Sequence, residues 1–143
     1  MGLDIKEYEN YLTECRSFVL ATVGTDNQPN LRHIGGYNLD GIDILFGTNK
    51  ASQKVKEIDL NTKVTALFQK ENQEGLRNFT VYGIMQKVEA GDIEKSVEII
   101  KKRRPQFNYK AEESIIYRIK PKKIKELNFS AKEKIKEYTK GEF

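Results

Sequence analysis

Apolar residues change their spacing several times along this chain, and each change marks an element. Ile5, Tyr8, Leu12 and Cys15 fall on one face of a helix, and Asp4 just before them can cap its first free N–H groups. From residue 18 the spacing becomes that of strands. Residues 18–23 (FVLATV) are apolar and β-prone, residues 24–29 (GTDNQP) are dense in turn formers, and residues 30–38 read as a second strand. Asp40-Gly41 is a hairpin signal ahead of a third strand at 42–47. Residues 51–59 read as a short helix with Val55 and Ile58 turned inward, and Val64, Ala66 and Phe68 alternate on a fourth strand. A polar turn at 70–75 leads into a long β-rich segment at 78–89, where Gly83 marks a bulge or a close approach.

The last third repeats these signals. Asp92 can cap a second helix with Ile93, Val97 and Ile100 on one stripe, ending before Pro105. Residues 114–119 alternate again, Pro121 interrupts, and residues 123–129 read as a last, edge-like strand. Residues 130–140 read as a polar, frayed C-terminal helix. The sum is six or seven short strands with two or three helices, in an order unlike the β-α-β alternation of a parallel sheet. Successive hairpins predict a mainly β fold: an antiparallel sheet closing into a barrel with peripheral helices. No repeat or linker divides the chain, so residues 1–143 are expected to form one domain.

Composition narrows the function classes. The 25 Lys and Arg outnumber the 21 Asp and Glu, and the excess sits in the last third, at Arg103, Arg104, Lys110, Lys120, Lys122, Lys123 and Lys125. These cations alternate with Glu and Ile, and the interleaved aromatics of a stacking platform are sparse, so a solvated surface is expected rather than a nucleic-acid partner. One cysteine, Cys15, permits no internal disulfide or cysteine metal cluster, and one histidine, His33, cannot build a zinc site. No signal-peptide pattern opens the chain and no run approaches a membrane span, so a cytoplasmic protein without a membrane partner is expected.

One stretch carries recognisable chemistry. Arg32 lies on the second strand, Thr48 ends the third, and Ser52 and Lys54 open the short helix within TNKASQK. Two cations, two hydroxyls and the free N–H groups of a helix start are what a phosphate monoester needs. The glycine run of a Walker loop is missing, as is a GxGxxG segment opening a helix. Single residues also have plain readings: Lys54 as an exposed helix charge, Ser52 as an N-cap.

Four segments in order resemble the pyridoxamine 5′-phosphate oxidase-like family, the FMN-binding split β-barrels. They are ATVGTDNQPNLRHI, ILFGTNKASQKVKEIDLNTKVTALF, NFTVYGIMQKVE and YRIKPKKIKEL. The resemblance implies a Greek-key-like split barrel, a homodimer, FMN as cofactor, and oxidoreductase activity on a small flat substrate. It places the flavin phosphate on Arg32, Thr48, Ser52 and Lys54, with Gln53 where the family often has a second basic residue. It sets the backbone of His33, Ile34, Gly35 and Gly36 along the flavin edge, and Asn78 beside the flavin across the dimer interface. The Gly35-Gly36 pair itself fits a ligand's close approach, a bulge or a simple bend. A subgroup, the nitroimidazole-resistance reductase-like proteins, often has a His near the flavin, which makes His33 a candidate catalytic proton donor or substrate contact. A structural role for this lone histidine is the alternative.

Tyr37, Tyr82 and Tyr109 could stack on a ring, with core packing the default. The Arg-x-His segment near the C-terminus of true pyridoxamine phosphate oxidases is absent from KIKEYTKGEF, which argues against vitamin B6 oxidation. External NAD(P)H is the expected reductant. The alternative function is a non-enzymatic flavin-binding or electron-carrier module of the same fold.

Overall fold

A computed structural model describes residues 2–143. The chain runs α1 (Ile5–Glu14), β1 (Phe18–Val23), β2 (Pro29–Ile34), β3 (Tyr37–Asp40), β4 (Asp43–Asn49), α2 (Gln53–Leu60), β5 (Lys63–Phe68), β6 (Arg77–Lys87), α3 (Ile93–Arg103), β7 (Ser114–Asn128) and β8 (Ile135–Thr139). A 3₁₀ turn at Ala90–Asp92 leads into α3. The strands form one antiparallel sheet in the order β2-β1-β5-β6-β7-β4-β3, with β8 added to β7. The two ends of this order, β2 and β3, are separated in sequence only by Gly35 and Gly36. Three Cα–Cα steps span at most about 11 Å, so the sheet must curl until its edges meet. This is the split barrel with helices outside that the hairpin order and the resemblance imply.

Aromatic rings fill the interior. Phe18 stacks on Phe68 at 4.8 Å between centroids and meets Tyr37 edge-on at 5.0 Å. Helix α1 closes one end through Tyr8 and Tyr11, whose rings meet Phe79 edge-on at 5.6 and 5.2 Å. Asp4 caps α1 as expected, accepting the Glu7 N–H at 3.1 Å. Helix α2 adds Val55 and Ile58 to this core. Helix α3 covers the outside of the opposite wall, where Ile100 packs with Leu45, Val88 and Ile116 in a second cluster. Asp92 precedes α3 but its side chain makes no capping bond. No helix among the described residues is long and apolar enough to cross a membrane.

The structure corrects four expectations. Residues 30–38 are two strands, because the chain leaves one sheet edge at Gly35 and joins the other at Tyr37. Residues 123–129 are not a separate edge strand but belong mostly to the second half of the 15-residue β7. Pro121 lies within β7, where the register shift at Tyr82/Gly83 accommodates a residue with no N–H to give the ladder. Residues 130–140 are not a helix: Ile135 to Thr139 pair with Leu127 to Lys123. That pairing covers β7's free edge, a gain that outweighs weak local propensity. Seven strands thus make the continuous order of the barrel, and β8 is added beside β7.

Candidate functional site at the edge strand

Period-two alternation divides the chemistry of β2 between two faces. Ile34 is buried in the main core, so Asn30 and Arg32 point toward the barrel interior while Leu31 and His33 point outward. Strand β2 also ends the sheet, leaving half its backbone groups without a strand partner among the described residues. A flat ligand laid along this edge can reach both faces.

On the inner side, α2 brings Ser52 and Lys54 toward Arg32. Ser52 occupies the N-cap position without making the capping bond, and its Oγ is buried with no hydrogen-bond partner among the described residues. A buried hydroxyl left unpaired is costly, so this atom fits a ligand oxygen that the chain does not itself supply. Burial and then the charge of Arg32 push the Lys54 ammonium below its ordinary pKa. No carboxylate lies within ion-pair distance of Lys54 among the described residues. Thr48 is the last residue but one of β4, four positions before Ser52, and no hydrogen bond joins its side chain to the other three. It lines a shallow cavity of about 330 Å³ with Phe107, Asn108 and Lys110.

One member of this inner cluster escapes sequence reading. Glu57, only 4% exposed, accepts hydrogen bonds from the Thr22 hydroxyl at 2.5 Å, Asn30 Nδ2 at 2.8 Å and Arg32 Nη2 at 3.3 Å. Arg32 Nη1 in turn donates to Thr22 Oγ1 at 2.5 Å. The Thr22 bond first, then Arg32, holds the Glu57 carboxyl below the usual carboxylate range against the opposing effect of burial. Nothing in its local sequence separates Glu57 from the exposed Lys56 and Asp59 around it. Only its place at the fourth position after Gln53, on the turn that faces β1, brings it inside.

On the outer side, His33 is exposed, and its Nδ1 lies 3.3 Å from Ser17 Oγ. It lines a cavity of about 240 Å³ with Arg16, Ser17, Val19, Leu67, Gln69 and Glu71. Asn78 reaches this cavity's wall, its Nδ2 donating to Gln69 Oε1 at 3.1 Å. Gln69 is thus a second polar group that the sequence did not single out.

The Gly35-Gly36 link is closely approached, and by the chain's own side chains. The space a Gly35 side chain would take holds the Arg104 guanidinium, and a Gly36 Cβ would sit 2.9 Å from Phe107 Cδ1. The Gly35 carbonyl accepts from Arg103 and Arg104, each at 3.1 Å. Of the tyrosines, Tyr37 is fully buried with its hydroxyl 2.7 Å from the Leu12 carbonyl. Tyr82 lies on the sheet's outer face under Lys123, 4.6 Å from its ring, and Tyr109 packs against the α3 cluster. Burial pushes the Cys15 thiol up to about 11, which removes it as a nucleophile, and the described residues hold no cluster of metal-ligating side chains.

Comparison with known proteins fits this arrangement. Among curated proteins, the pyridoxine/pyridoxamine 5′-phosphate oxidase of Dichelobacter nodosus (strain VCS1703A) is 40% identical over 57 residues, covering 40% of this chain and 27% of that protein. The match therefore spans about a quarter of that relative's length. A NimC/NimA family protein from Clostridium acetobutylicum superposes with a TM-score of 0.72 at 15% identity, covering 96% of this chain and 94% of that one. A heme binding protein from Mycobacterium smegmatis gives a TM-score of 0.76 at 10% identity, covering 97% of this chain and 59% of that one. At such identities these structures share the fold alone. The family model described as pyridoxamine 5′-phosphate oxidase matches residues 5–128, nearly the whole barrel from α1 to the end of β7, and the chain belongs to that family.

Proposed function

We propose that the protein is a homodimeric FMN-dependent oxidoreductase acting on a small flat substrate. The observation that carries this reading is the buried, unpartnered Ser52 hydroxyl at the start of α2, the helix whose Glu57 is bonded to Arg32 of the edge strand. Arg32 and Lys54 supply the charge for a phosphate monoester, Ser52 a hydroxyl, and the first turn of α2 its free N–H groups. When bound, FMN supplies the redox chemistry, centred on its N5, and the protein binds and orients it. The unpaired edge of β2 can give hydrogen bonds to a ring, and His33 on the outer face can hold or deliver a proton at the substrate. External NAD(P)H is the proposed reductant, visiting the site rather than residing in it.

The test is a pair of titrations. FMN should bind much more tightly than riboflavin, and Arg32→Ala should remove most of that difference, since hydrogen bonds to charged groups contribute about 1.5–3 kcal/mol each. Equal affinities for the two flavins would overturn the phosphate assignment. Purified protein carrying a haem spectrum rather than a flavin one would reassign the ligand.

A second reading, a flavin-binding electron carrier, is favoured by one feature. His33 is hydrogen-bonded to the Ser17 hydroxyl, and Glu71, the carboxylate lining the same cavity, makes no bond to it. Rapid mixing with reduced nicotinamide and then with quinones or nitroaromatics separates the two. Flavin absorbance that bleaches and recovers with an acceptor supports the enzyme, and recovery with oxygen alone supports the carrier.

A further inference from the structure

The proposed function leaves one group of the inner cluster unused, the buried carboxylate of Glu57. A buried carboxylate is stable only when paired and hydrogen-bonded, and here Thr22, Asn30 and Arg32 supply three donors. The same arrangement draws Arg32 away from any visiting anion. Its Nη1 is on Thr22 and its Nη2 on Glu57, so the fork that would grip a phosphate is shared between two internal acceptors. Arg32 and Lys54 bring two positive charges and Glu57 removes one. A phosphate monoester carrying about 1.5 to 2 negative charges near neutral pH meets a cradle it outweighs.

We propose that Glu57 is an internal counter-anion that competes with phosphate for Arg32, so that the cradle holds its phosphate ligand weakly and exchangeably. The inference rests on the phosphate reading of Arg32, Ser52 and Lys54. The Arg32 bond, at 3.3 Å, is the longest of the three that Glu57 accepts. If Arg32 turns to a phosphate, Thr22 and Asn30 still satisfy both carboxylate oxygens. The pair can therefore open without stranding a bare buried charge, which a merely structural ion pair does not require. Gln53, exposed at the first position of α2, adds no cation to offset Glu57.

The test is Glu57→Gln, which keeps the shape and lets the neighbouring amide of Asn30 turn to pair with the new one. FMN affinity should rise about tenfold or more, from the removal of one nearby like charge, with riboflavin affinity unchanged. Unchanged or weakened FMN binding in a folded Glu57→Gln protein would overturn the inference. Asn30→Asp adds a carboxylate at the same place and should shift FMN affinity the opposite way; an increase would also overturn it. Inorganic phosphate is the second probe, because it reports on the cradle without the ring. Phosphate tightened by Glu57→Gln, with no preference for FMN over riboflavin, would keep the counter-anion and overturn the flavin reading. Phosphate and FMN both indifferent to the substitution would overturn the counter-anion while leaving the flavin reading to its own test.

Discussion

Arg103 shows how much one side chain can hold. Its Nε donates to the Thr13 carbonyl at 3.0 Å, and its Nη1 to those of Gly35 and Tyr37 at 3.1 and 3.2 Å. Its Nη2 reaches the carbonyls of Cys15 and Arg16, while the guanidinium lies 3.7 Å from the centre of the Tyr37 ring. All five donors thus serve carbonyls at the end of α1 and at the β2–β3 link; those of Gly35 and Cys15 have further donors in Arg104 and the Tyr37 hydroxyl, and those of Thr13 and Tyr37 rest most on Arg103. A lysine has a single ammonium and cannot span both segments. Arg103→Lys should therefore destabilise the fold by about 2–4 kcal/mol, the cost of leaving two or so such carbonyls unpaired, read as a lower urea midpoint. Glu57 gives a pH prediction. Its carboxyl is held below the ordinary value of 4.5, so the stability it contributes is complete above that value. It is lost as pH falls through the lower folded-state value. Urea unfolding measured from about pH 5 down to pH 3 should show a shallower loss of stability in Glu57→Gln than in the wild type.

At the scale of elements, the strands announced themselves wherever one face was apolar, and failed to where pairing alone decides. Residues 18–23 and 64–68 alternate cleanly because every second side chain enters the core. The segment KIKEYTK carries Ile135 and Tyr138 three apart, a spacing that suits a helix, and its strand state comes from pairing with β7 residues eight to sixteen positions back. The strand at β2 was legible, but the separation of Arg32 from His33 onto two faces comes from the burial pattern of the folded chain. The ties of Glu57 to Thr22 and of Arg103 to Gly35 cross 35 and 68 positions, and no local pattern encodes them. The strand state of β8 can be tested by two substitutions on adjacent residues. Tyr138 is buried against the main core and Glu137 is exposed. Tyr138→Ala should cost about 3 kcal/mol, as large-to-small core changes do, and Glu137→Ala about half a kcal/mol or less. Similar costs for both would contradict the alternation.

The whole molecule presents one face that its helices leave bare. Across β2, β1, β5 and β6 the outward positions include Leu31, Val19, Ala21, Leu67 and Tyr82, with Leu31 70% exposed. Helix α3 covers the other wall, and α2 turns Val55 and Ile58 inward. A two-fold partner laid on the bare face would bury Leu31 and enclose the cavity beside His33, with Asn78 of each protomer close to the joint. A stable dimer needs roughly 800 Å² from each partner, which a four-stranded face can provide. Light scattering should then give twice the 16.5 kDa chain mass. Leu31→Lys places a charge on the edge strand of the face and should shift the protein toward monomer while leaving its fold intact, since that side chain is 70% exposed in the single chain. Leu31 is also the chain neighbour of Arg32, so the inner cradle is untouched while the outer ring site is opened. The monomeric variant should keep its affinity for inorganic phosphate and lose most of its affinity for FMN. A Leu31→Lys monomer that holds FMN as tightly as the wild type would show that the flavin ring needs only one barrel.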